Sequence, residues 1–209
     1  MKQSQQYEMA RLIVQILQGD EDKQKTLARH GFERKRVQDG QAVLNRIDLL
    51  SDEHHQHDGA KLQASKILQQ TRKDAHQFYI RHLLLARVAF KGSVEPSRTL
   101  QLDGPRQESL AGWLKQSTAF YRNAPALIGE LSQVGITIEE LQQGEAQIQA
   151  VAQARVKQAN CTSVAQRLSK QRQAAFRELH AWLKDFRYVA RYAFQNDPQQ
   201  LEAFGMITA

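Results

Sequence analysis

Ala86-Arg87-Val88-Ala89-Phe90 and Ala190-Arg191-Tyr192-Ala193-Phe194 are one pattern written twice, 104 positions apart. Carried upstream at the same offset, Leu27 to Phe90 lies on Leu131 to Phe194 without a gap, with 13 identities in 64 pairs. The identities fall at structural positions: Gly31 on Gly135, Gly40 on Gly144, Ser65-Lys66 on Ser169-Lys170, and His76 on His180. The offset is half of the 209-residue chain, so the reading is a tandem duplication with copies at 1–104 and 105–209. Both copies are expected to pack about a pseudo-two-fold axis as one structural domain.

Each copy reads as helix throughout. Met9, Leu12, Ile13, Ile16 and Leu17 share one face of an opening helix, answered in the copy by Trp113, Phe120 and Tyr121. A short turn closes at Gly31 or Gly135, each followed by an apolar residue, as a glycine just past a helix end would be. A long helix is expected from Arg34 to Glu53 and from Glu139 to Asn160, with Val37, Leu44, Ile47 and Leu50 recurring as Leu141, Ile148, Val151 and Ala154. Gly40 and Gly144 lie inside it at a cost of about 1 kcal/mol each, which points to a close crossing of backbones. The next helix is longer, Ala60 to Phe90 and Ser163 to Phe194, and carries a nearly heptad seam through Cys161, Ala165, Leu168, Ala175, Leu179, Leu183 and Phe186. The fold class follows: all-α, an antiparallel bundle of four long helices from two repeats. Short helices are added, including tails from Glu95-Pro96 to Gly104 and from Asp197-Pro198 to Gly205.

Composition narrows the function classes. Four prolines and eleven glycines, amid abundant Gln, Ala, Leu, Arg and Lys, argue against a β-rich fold. The +7 charge is spread over both copies, so no basic tail exists; the excess serves solubility and mildly favours acidic partners or nucleic acid. Cys161 is the single cysteine, which excludes an internal disulfide and suits a reducing compartment, the cytoplasm being the expected location. Leu12 to Leu17 is too short and interrupted for a signal-peptide core, and no stretch approaches the ~20 apolar residues of a spanning helix, so no membrane partner is expected.

Trp182-x-x-Asp185-Phe186-x-x-Val189-Ala190-Arg191-x-Ala193-Phe194, continued by Asn196-Asp197-Pro198-Gln199-x-Leu201-Glu202-x-x-Gly205, resembles the end of a loose group of uncharacterised bacterial all-α helical-bundle proteins of unknown function. The resemblance extends over most of the chain, including Gly135-Ile136-Thr137. It implies the helical-bundle fold and a bacterial origin, and brings no catalytic motif.

Three clusters carry chemistry. Asp52-Glu53-His54-His55-x-His57-Asp58 places imidazoles and carboxylates at the expected interhelical turn, and His54, His57 and Asp58 would share one face for a transition metal if the helix continued. Against that, the equivalent Val156 to Thr162 keeps none of these groups, and polar residues before Gly59 suit an exposed turn. Arg34-Lys35-Arg36 sets three cations in the first turn of a helix, where the dipole prefers anions and the copy has Glu139-Glu140; with Arg29 nearby it offers an anion or nucleic-acid site, or a solvated basic turn. His76 and His180 are the repeated titratable pair, read as histidines flanking the core. Asp74 and Glu178 precede them by two residues, whereas di-iron bundles use Glu-x-x-His. Arg87 and Arg191 read as structural, with long stems on apolar surface.

No phosphate-binding loop, dinucleotide fingerprint, nucleophile elbow, paired-cysteine motif or His-Glu-x-x-His is present, so no cofactor is expected. The reading is a non-catalytic helical scaffold or interaction module acting on a protein partner or as a homodimer, with aromatics such as Tyr121 or Tyr188 as anchors. The alternatives are nucleic-acid or phosphate binding at Arg34 to Arg36, and metal binding at His54, His55 and His57.

Overall fold

The structure, a computed structural model, describes residues 2–206, and among them every regular element is helical. In chain order these are α1 (Gln3–Gly19), α2 (Glu21–Ala28), α3 (Arg34–Ala89), α4 (Val94–Thr99), α5 (Leu110–Asn123), a 3-10 turn (Ala124–Leu127), α6 (Ile128–Gln133), α7 (Ile138–Ala193) and α8 (Gln199–Ala203). None of the described helices is long and apolar enough to cross a membrane.

α3 and α7 are each 56 residues long and begin 104 positions apart. The turn expected at Asp52 to Asp58 therefore lies inside α3, and the break expected near Asn160 lies inside α7, giving two continuous long helices where the sequence suggests four. The physical reason is the absence of a real breaker. No proline occurs between Leu50 and Gln63, and Gly59 alone costs about 1 kcal/mol, which its helical neighbours outweigh.

The helix ends follow local chemistry. Gly31 and Gly135 take φ of 84° and 83°, and the amides after them, of Phe32 and Ile136, reach back to the Leu27 and Leu131 carbonyls at 3.0 and 3.1 Å. α8 closes in the same way at Gly205, φ 67°. At the end of α4 Gln101 is left-handed, φ 53°, and so is Gly104, φ 79°, the closing glycine that the sequence suggests. Leu102 and Met206 then return their amides to the Ser97 and Leu201 carbonyls.

The chain divides into two compact units, Met1–Asp58 with Val164–Ala209, and Gly59–Ser163. Neither unit coincides with residues 1–104 or 105–209; each draws on both. In unit 1 the core joins Ile13 and Leu17 of α1, Leu44 and Ile47 of α3, and Leu179, Leu183 and Phe186 of α7, closed by Leu201 and Phe204 at α8. In unit 2 it joins Tyr79 and Leu83 of α3, Trp113 and Phe120 of α5, and Leu141 and Ile148 of α7, closed by Leu100 and Leu102. Positions 104 apart are buried alike, as Leu27 and Leu131, Phe32 and Ile136, Ala86 and Ala190, and Phe90 and Phe194 show.

Polar pairs fix direction inside unit 1. Tyr7 Oη donates to Asp48 at 2.6 Å and Gln18 to Gln41 at 3.4 Å, so α1 runs antiparallel to α3. Arg36 pairs with Asp185 and Arg46 with Glu178, so α3 runs antiparallel to α7. In unit 2, Trp113 and Tyr121 of α5 meet His76 and His82 of α3 in the same order, so those two helices run parallel.

The repeated glycines have a packing reason that differs from a backbone crossing. The Trp182 indole lies against Gly40 and its Nε1 donates to the Arg36 carbonyl at 2.7 Å; the Tyr121 ring lies against Gly144. A Cβ on Gly40 would stand 2.5 Å from two atoms of the Trp182 ring, whereas one on Gly59 would meet nothing within 4 Å. Gly40→Ala and Gly144→Ala should therefore each destabilise by about 1–3 kcal/mol despite alanine's better propensity, and Gly59→Ala should stabilise by about 1 kcal/mol. Urea unfolding followed by circular dichroism checks this; stabilisation by all three would refute the ring-on-glycine packing.

Candidate functional site

The basic turn has a structural use. Arg36 Nη1 lies 3.0 Å from the Asp185 carboxylate, and in unit 2 the equivalent positions hold the same contact with the charges exchanged, Arg81 to Glu140 at 3.5 Å. Glu140 also closes a capping box with Thr137, an arrangement that α3 lacks. A cation in the first turn of α3 is thus explained by its partner across the unit. Such exposed pairs contribute only about 0–1 kcal/mol, so they mark register more than stability. Arg29, Arg34 and Lys35 are exposed, and Arg34 lines two shallow grooves with Gln24.

His54, His57 and Asp58 lie in mid-α3, with His54 half-buried and the other two exposed. Among the described residues no group of three or more His, Cys, Asp or Glu side chains is placed to hold a metal. Cys161, half-buried in α7, is a free thiol.

His76 and His180 are exposed, and each accepts a hydrogen bond at Nδ1 from the opening helix of its own unit. Trp113 Nε1 donates to His76 at 3.0 Å and Gln6 Nε2 meets His180 at 3.1 Å. Both histidines thereby tie the opening helix to a long helix. Arg87 donates twice to the Leu102 carbonyl, at 2.9 and 2.7 Å, which fastens the tail of unit 2.

A buried polar cluster in unit 2 escaped sequence reasoning. His82 is fully buried, touches Phe78 ring to ring at 4.6 Å, and shares a 3.3 Å hydrogen bond with Tyr121 Oη, while its Nε2 has no partner among the described residues. Tyr121, read from the sequence as a candidate surface anchor, is buried against Gly144. Tyr79 packs beside it, and Arg106 reaches the Tyr79 hydroxyl at 3.2 Å. Burial pushes the tyrosine hydroxyls of Tyr79 and Tyr121 up and the His82 imidazole down, so all three are held neutral. The available signal was the overlay itself, which sets His82 on Phe186 and Ser117 on Ile13. Ser117 is buried with its hydroxyl on the Trp113 carbonyl at 2.8 Å. Unit 1 holds a more exposed tyrosine at a different position, Tyr7, raised to about 12 first by its hydrogen bond to Asp48 and then by burial.

The surface carries a second repeated feature. Leu84 and Val88 on α3 are 54% and 68% exposed, and the equivalent Tyr188 and Tyr192 on α7 are 66% and 61% exposed. Each pair is one helical turn apart, a single ridge. A groove of about 780 Å³ lined by His76, Ile80, Arg81, Leu84, Leu85 and Val134 runs beside the first ridge. One of about 290 Å³ that includes His180, Lys184, Tyr188 and Arg191 runs beside the second. No protein-family model matches the chain, and neither does a curated protein or a solved structure.

The buried imidazole sets a pH dependence. Its folded value lies below the unfolded value of about 6.5, so the unfolded state binds the extra proton first and stability falls as pH drops through and below that point. Glu140 opposes the shift and Arg81 adds to it, both weaker than burial. The stability lost between about pH 7.5 and pH 5 should shrink in His82→Phe, the residue type that the copy holds, when chemical unfolding is compared at the two pH values. Equal losses in both proteins would contradict a neutral buried His82.

Proposed function

We propose that this protein is a non-catalytic helical-bundle scaffold that docks another protein along one repeated ridge of its long helices. The observation that carries the reading is the exposure of large apolar side chains at the same two places in both units, Leu84 and Val88, then Tyr188 and Tyr192. Folding gains nothing from exposed apolar side chains, and a ridge bordered by a groove is the form in which protein interfaces place their anchors. Several of the polar groups, by contrast, are used within the fold: Arg36 in an ion pair, His76 and His180 in interhelical hydrogen bonds, His82 in the core.

The architecture behind this reading is a tandem duplication at 1–104 and 105–209 whose copies exchange halves. Each copy of the long helix starts in one unit and ends in the other, so the two long helices contribute four bundle segments, two to each unit. The charge-exchanged pair supports it, since Arg36 with Asp185 and Glu140 with Arg81 occupy the same two places in the two units.

The double variants Leu84→Ser/Val88→Ser and Tyr188→Ser/Tyr192→Ser should keep the wild-type fold, because exposed positions cost within about 0.5 kcal/mol. Recovery of a cross-linked partner from cells of origin should fall about tenfold or more in at least one of them. Native mass spectrometry identifies whether that partner is a second copy. Recovery unchanged by both variants would contradict the ridge as the docking surface.

A further inference from the structure

We infer that the groove beside Tyr188 in unit 1 binds a short acidic peptide segment of the partner, its carboxylates on Lys184 and Arg191 and an apolar side chain against the Tyr188 ring; this rests on the protein-docking reading above. The groove is about 290 Å³ and is lined by His180, Lys184, Arg187, Tyr188 and Arg191 with Gln6 and Leu183, and no carboxylate is among these residues.

The equivalent positions in unit 2 show that the fold does not require these charges. Lys184 stands where Ile80 stands and Arg187 where Leu83 stands. Arg87, the counterpart of Arg191, spends its guanidinium on the Leu102 carbonyl, while Arg191 makes no hydrogen bond or ion pair among the described residues. The two acids nearest along α7 are already taken, Glu178 by Arg46 and Asp185 by Arg36. Lys184 Nζ lies 6.0 Å from the Tyr188 ring centroid, so cation and aromatic face are offered together. Arg187 is anchored by a contact from Nη2 to the Met9 sulfur at 3.0 Å and holds one side of the groove.

An acidic peptide fits better than a nucleic-acid strand. A phosphate track needs a line of many cations, since each neutralised phosphate contributes separately to affinity. Unit 1 as a whole is near balance, with 16 Lys+Arg against 14 Asp+Glu, and the groove itself is short, with Lys184, Arg187 and Arg191 as its lining cations. A short segment with one or two carboxylates next to an aromatic or aliphatic residue satisfies the groove without running on over the acidic parts of the unit.

The test pans a phage-displayed random peptide library against the whole immobilised protein and measures the enriched peptides by fluorescence polarisation. Enriched sequences should place Asp or Glu beside an aromatic or aliphatic residue, bind Lys184→Glu/Arg191→Glu about tenfold more weakly or worse, and bind Leu84→Ser/Val88→Ser within about twofold of wild type. Both charge sites are exposed, and circular dichroism verifies that the variant is folded. Enrichment of neutral peptides, no enrichment, or undiminished binding to the charge variant would overturn the inference. So would a labelled oligothymidine of about 20 nucleotides that binds wild type and is lost in the same variant, which would assign the groove to nucleic acid. Peptides that depend on Leu84 and Val88 alone would remove the acidic site and leave the docking reading intact.

Discussion

An aromatic ring seated on a glycine of a long helix is the contact on which each unit is built. Any Cβ at Gly40 would occupy the space of the Trp182 indole, and any Cβ at Gly144 that of the Tyr121 phenol. The ring comes from α7 in unit 1 and from α5 in unit 2, so the two units solve one packing problem with different helices. With Trp182 fixed on Gly40 and bonded to the Arg36 carbonyl, the antiparallel register of α3 and α7 is set, and Arg36–Asp185 and Arg46–Glu178 fall into place along it. The ion pairs are consequences of that register, since exposed pairs are too weak to impose it.

The same positions have then diverged in chemistry. Phe186 in the core of unit 1 is answered by His82 in unit 2, Ile13 by Ser117 and Leu17 by Tyr121, so unit 2 carries a buried polar cluster where unit 1 is apolar. On the surface the direction is reversed, with apolar Ile80 and Leu84 in unit 2 answered by Lys184 and Tyr188 in unit 1. Positions 104 apart keep their packing while the surface grooves beside them differ in chemistry. The grooves beside Leu84 and beside Tyr188 differ in just this respect.

Much of the fold was legible because helix periodicity and glycine placement are local. The apolar face from Val37 to Ile47, the seam from Ala165 to Phe186, and the caps at Gly31 and Gly135 all stand in the structure as read. What was not legible depended on competition between weak signals. The histidine-rich stretch before Gly59 looks like a turn, yet with no proline the helix continues through it. Gln101 takes a left-handed conformation directly after α4, in addition to Gly104 three positions on, and Leu102 returns to the core between them. Of the candidate site residues, His76 and His180 are exposed, each hydrogen-bonded to the opening helix of its own unit. His82 was missed because a histidine on an apolar stripe gives no sign of whether it is buried, and Tyr121, read both on the apolar face of its helix and as a surface anchor, is buried against Gly144, 23 positions away. The exposed ridge was invisible in either copy alone, and only the overlay of Leu84 with Tyr188 and Val88 with Tyr192 brings it out.

Each compact unit draws on residues from both 1–104 and 105–209. Residues 59–163 contain the whole core of unit 2, from Ala75 to Val151, whereas residues 1–104 hold only parts of two cores. The most direct measurement is the thermal unfolding of separately expressed fragments 59–163 and 1–104, followed by circular dichroism. The account predicts that 59–163 is helical and unfolds cooperatively by itself, while 1–104 does not fold until 105–209 is added. A fragment 1–104 that folds cooperatively alone, with 59–163 unfolded, would contradict it.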